Sequence, residues 1–74
     1  MTITEANKVV ADNLIRIIHE RKLDQGMIAK ACGLDSRKMS DMLHGRKLIK
    51  AADIVAIIRT IEGVDANDLF SSVG

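Results

Sequence analysis

The stretch from Gln25 to His44, QGMIAKACGLDSRKMSDMLH, constrains the fold of this chain more than any other. Ile28 and Cys32 stand i, i+4 and so share one face of a short helix. Gly33 then breaks that helix, Leu34 plugs the turn, and Asp35 can cap a second helix whose inner face is Met39, Met42 and Leu43. Two short helices held at a fixed angle by a tight glycine turn form the DNA-reading unit of many regulators. The spacing therefore bears on function as well as on fold.

The rest of the chain is consistent with a small helical domain. Seventy-four residues give one domain, residues 1–74, with a modest core, so self-association is a natural source of extra stability. Proline, tryptophan and tyrosine are absent and Phe70 is the single aromatic residue, which leaves burial to Ile, Leu, Val, Met and Ala and favours an all-α fold. Cys32 is alone, so no internal disulfide can form, and a small inward-facing cysteine suits a reducing cytosol. No apolar run is long enough to span a membrane, and MTITEANK lacks the regions of a signal peptide. The expected location is cytoplasmic.

Five helices are expected. Thr2 and Glu5 make a capping box, with Met1 as its staple residue. The first helix runs to about Arg21, with Ile3, Ala6, Val10, Leu14, Ile17 and Ile18 on one face and Val9 and Ile15 off it. Asp24 caps the second helix. Its first turn contains Gly26, which costs about 1 kcal/mol relative to Ala. Either Gly26 is tolerated near the helix end, or it lets a phosphate approach the backbone. The third helix spans roughly Ser36 to His44, and Gly45 is placed as a left-handed cap. A basic loop, Arg46 to Lys50, leads to a fourth helix with Ile54, Val55, Ile58 and Ile61 inward. Gly63 ends that helix, and Asp65 caps a final turn carrying Leu69 and Phe70.

Net charge is only +1, but it is unevenly spread. From Ser36 to Lys50 five cations (Arg37, Lys38, Arg46, Lys47, Lys50) stand against Asp41 alone, a local +4. From Ala51 onward Arg59 faces Asp53, Glu62, Asp65 and Asp68, a local −3. Such polarity orients a protein on a phosphate backbone. On the third helix Arg37, Ser40, Asp41 and His44 share the face opposite Met39 and Met42. Arg37 can donate twice to guanine and Asp41 can accept from cytosine N4; Ser36, short and first in the helix, suits a base or a phosphate. Alternatively, Arg37 and Asp41 pair with each other, i to i+4, on a solvated face.

With Gln25, Ile28, Ala29, Gly33, Met39, Met42 and Gly45 at this spacing, the chain resembles the Cro and phage-repressor family of helix-turn-helix domains over nearly its whole length. The resemblance implies a five-helix, lambda-repressor-like fold with helices 2 and 3 as the reading unit. It also implies a transcriptional regulator of a bacterium or phage that binds double-stranded DNA, and since a domain this small offers one reading helix and few phosphate contacts, it is expected to act as a homodimer. Base edges would face Ser36, Arg37 and Asp41, to which the shared helical face adds Ser40. Gln25 would meet a phosphate or brace the reading helix, and Lys38, His44, Arg46 and Lys47 would meet phosphates, to which the basic loop adds Lys50. The candidate dimer residues are Val9, Ile15, Phe70 and Val73, although Phe70 can equally fold back to close the core. Two departures stand out. Many family members pair an Arg late in the first helix with a Glu near the end of the third, where this chain has Ile18 and Leu43. Packing then replaces a buried ion pair, which need not cost stability. One apparent extra residue also lies near Glu62 and Gly63.

Other functions find less in the chain. His19 and His44 have no second ligand at metal spacing, and no catalytic set, cofactor motif or small-molecule ligand site is discernible. Gly33-Leu34-Asp35-Ser36 is similar to the attachment motif of acyl carrier proteins, with Ser36 as the attachment point. Those carriers are acidic there, whereas Arg37 and Lys38 follow Ser36 here. A non-DNA-binding interaction module or antitoxin-like partner on the same fold is the remaining alternative.

Overall fold

A computed structural model describes residues 2–71, and these form five helices and no strand. The helices are α1 (Ile3–Glu20), α2 (Gln25–Ala31), α3 (Ser36–Leu43), α4 (Ala51–Thr60) and α5 (Ala66–Phe70). Four expected caps start them. The Thr2 hydroxyl accepts from Glu5 N (3.1 Å), Asp24 from Met27 N (3.1 Å), Asp35 from Lys38 N (2.7 Å) and Asp65 from Asp68 N (3.0 Å). Each satisfies a first-turn donor that has no partner within its own helix. Met1, the expected staple, lies outside the described residues.

The helices on either side of the α2–α3 turn end alike. At the end of α2, Leu34 N donates to Ala29 O (2.8 Å) and Gly33 N to Lys30 O (3.1 Å), with Gly33 at φ +77°. At the end of α3, Arg46 N donates to Asp41 O (2.8 Å) and Gly45 N to Met42 O (3.3 Å), with Gly45 at φ +78°. Both are paired 6→1 and 5→2 bonds closed by a left-handed residue. The same pattern ends α1, where Leu23 N meets Ile18 O and Lys22 N meets His19 O, but there Lys22 holds the left-handed position at φ 54°.

One core unites the elements. Leu14, Met39, Met42, Ile57 and Leu69 are its fully buried side chains, drawn from α1, α3, α4 and α5, and Ile28 and Ala29 of α2 join them. α1 packs on α3 and α5, while α2 packs on α3 and α4. Leu34, in the α2–α3 turn, lies partly buried against this core. Leu43 is part of it, and Ile18 lies partly buried against it. No helix among the described residues is long and apolar enough to cross a membrane.

The expected core needs two corrections, on α1 and α4, and the two alternatives open for Phe70 are decided. Ile3 is 75% exposed and Ala6 is exposed, so the first turn of α1 lines an open cleft with Leu48 and Phe70 instead of entering the core. On α4, Val55 points outward at 49% exposure and Ile57 takes its place in the core. Ile54, Ile57, Ile58 and Ile61 follow i, i+3, i+4, i+7, and Val55 lies well off that stripe. Phe70 is 53% exposed, so Leu69 alone closes the core at the final turn.

Two side-chain amides of α1, buried Asn13 and half-buried Asn7, tie later segments to that helix. Asn13, 2% exposed, donates through Nδ2 to Leu69 O (2.7 Å) and Ser71 O (2.8 Å) and so fastens α5 to α1. Asn7 Oδ1 accepts from Ile49 N (2.7 Å) and anchors the loop before α4. Arg21 bonds Glu62 O across the fold (2.6 Å).

Candidate nucleic-acid interface

α3 has two chemically distinct sides. Met39, Met42 and Leu43 are buried, whereas Ser36, Arg37, Lys38 and His44 are exposed and Ser40 and Asp41 half-exposed. The local cause is the helical period acting on SRKMSDML between the Asp35 cap and the Gly45 terminus. The outward set is polar throughout.

The starts of α2 and α3 lie together. A Cβ placed on Gly26 would sit 3.3 Å from Asp24 Oδ1 and 3.7 Å from Ser36 Oγ. Gly26 thus makes room for the Asp24 cap and brings the first residue of α3 beside the first turn of α2. Gln25, half-buried, is in that same turn.

The expected site residues divide by what their side chains already touch. Among the described residues, Arg37, Lys38 and Lys47 have no side-chain hydrogen-bond or ion-pair partner, and each is exposed. Lys50 is exposed as the residue preceding α4, where its backbone N–H donates to Asp53 Oδ2 at 3.0 Å. His44 Nδ1 lies 2.8 Å from the Ser40 carbonyl. A carbonyl only accepts, so Nδ1 carries the hydrogen there and Nε2 is the nitrogen left for other contacts. Ser40 Oγ lies 3.4 Å from the same Nδ1.

Asp41 departs from both readings of its sequence position. Its Oδ1 accepts from Arg46 Nε at 2.9 Å, so it is paired neither with Arg37 nor left unengaged. The reason lies in the turn: the Gly45 terminus folds the chain back, bringing residue 46 over the last turn of α3, an adjacency that helical spacing alone does not show. Asp41 O also accepts from Lys47 N at 3.2 Å.

Together these residues present cations and short polar side chains along α3 and the loop that follows it. They can donate to anionic oxygens and to the edges of bases. Among the described residues, no three His, Cys, Asp or Glu side chains gather as a metal ion would need. Cys32 is half-buried, with Sγ 3.5 Å from Thr60 Oγ1. Compared with family models, curated proteins and solved structures, the chain matches none.

Proposed function

We propose that the protein is a sequence-specific double-stranded DNA-binding regulator with a lambda-repressor-like fold, in which α2 and α3 form the helix-turn-helix and α3 enters the major groove. The observation that carries this reading is the free polar face of α3. Arg37 and Ser40 lie opposite a buried Met39–Met42–Leu43 face, and unpaired Lys38 and Lys47 flank them. Ser36, Arg37 and Ser40 are assigned to base edges, with Arg37 bidentate to guanine. Gln25, Lys38, His44, Arg46, Lys47 and Lys50 are assigned to phosphates, which fix register without reading sequence.

A homodimer belongs to this reading. One α3 of eight residues offers few contacts, whereas two related by a two-fold axis would meet successive major grooves about 34–36 Å apart. A body of 31 × 24 × 20 Å suits that spacing. Exposed Ile3, Leu48 and Phe70 border a cleft of about 300 Å³ and are the favoured contact; Ile15, 39% exposed, is the next. Val9 is half-buried, and Val73 lies outside the described residues.

Fluorescence anisotropy with a random-sequence duplex at low salt tests the reading. Binding that weakens steeply as salt rises is expected from released counterions. No binding at the lowest salt would favour the interaction module on the same fold.

A further inference from the structure

We infer that Asp41 is a positioning residue, which holds the Arg46 guanidinium by its Nε edge and leaves the Nη edge for a DNA phosphate. The inference rests on the DNA-binding reading and assigns Asp41 a task other than base recognition. The pair is 2.9 Å long, and the Asp41 side chain is only 30% exposed against 62% for Arg46. The acid is thus the seated partner and the base the presented one.

The backbone makes the arrangement stiff. Asp41 O receives Arg46 N at 2.8 Å and Lys47 N at 3.2 Å, so both ends of the ion pair are joined to one short turn closed by Gly45. An arginine on a free loop would lose rotamer freedom on meeting a phosphate; here that ordering is in place beforehand. The planar guanidinium has five N–H donors in a fixed fork. With Nε–H on Asp41, the Nη donors can still form a paired contact with phosphate oxygens. Lysine carries its three donors on one nitrogen and lacks the planar fork that gives each anion its own edge.

The sign of the expected effect separates this role from two others. As a bare negative charge near DNA, Asp41 would weaken binding, and its removal would tighten it. As a base reader, it would matter only on sites with the preferred base. As a positioning residue, its removal weakens every site and does so only while Arg46 is present.

The test is a cycle of D41A, R46A and the double variant, with D41N as the conservative rescue, on one preferred and one random duplex. The backbone bonds to residue 41 survive any side chain, and thermal melting checks that each variant is folded. D41A is expected to weaken both duplexes about fivefold, D41N less, and D41A to add nothing in the R46A background, which is the coupling expected of groups in contact. Tighter binding by D41A, or loss confined to the preferred duplex, overturns the inference. A DNA-independent check is the Arg46 Nε–H resonance of the free protein, expected to exchange slowly in the parent and rapidly in D41A. Rapid exchange in the parent overturns the inference and leaves the DNA reading standing. A parent with slow exchange that binds no duplex overturns the DNA reading itself.

Discussion

Gly33 and Lys22 occupy the same place in the same helix-ending motif, yet they should respond in opposite directions to substitution. A Cβ on Gly33 would meet nothing within 4 Å, so the cost of replacing it comes from the backbone at φ +77°. Gly33→Val puts a β-branched residue in the left-handed region and should destabilise by more than about 1–2 kcal/mol. Lys22 already bears that strain at φ 54°. Lys22→Gly relieves it but adds freedom to the unfolded chain, for a net gain of up to about 1 kcal/mol. Urea denaturation of both variants checks the pair; equal or reversed signs would mean the two turns differ in more than residue type. Asn13→Ala would leave the buried carbonyl of Leu69 without its donor and should cost about 1–3 kcal/mol. Asn13 was legible only in part. It falls on the inner stripe between Val10 and Ile17, but a polar residue there has no visible partner until α5 folds back 56 residues later.

At the scale of elements, what could be read in the chain was what is decided locally. The caps at Asp24, Asp35 and Asp65 and the glycines at 33, 45 and 63 act within a turn or two, and all stand where their spacing placed them. Burial depends on which helix lies opposite, and the periodicity of one helix does not contain that. Ile3 belongs to the apolar stripe of α1, yet no element covers it. On α4, hydrophobicity without strict periodicity exchanged Val55 for Ile57. The consequence is measurable: Ile57→Ala should cost about 2–5 kcal/mol as a core truncation, and Val55→Ser should stay within about 0.5 kcal/mol of the parent. Comparable losses at both positions would mean that α4 turns a different face to the core. The candidate interface was legible as a set of residues, because periodicity alone separates Arg37 and Ser40 from Met39 and Met42. The Asp41–Arg46 link was not, since it crosses a helix terminus.

At the scale of the whole molecule, the proposed function assigns the polar face of α3 and the +4 segment around it to DNA, and the apolar border at Ile3, Leu48 and Phe70, which Lys50 also lines, to a second copy of the chain. Sedimentation should find two chains per bound palindromic site, and Phe70→Glu should reduce this to one and weaken binding; a dimer unaffected by Phe70→Glu would place the contact elsewhere. The most direct test of major-groove reading by α3 is selection of bound sequences from a random duplex library, repeated with R37A and K47A. The parent should enrich an inverted repeat. R37A should relax the choice at one base pair per half-site at a cost of about 1–3 kcal/mol, and K47A should weaken all sites alike and reduce the salt slope by about 1. Uniform loss in both variants, or no enriched sequence at all, would contradict base reading by this helix.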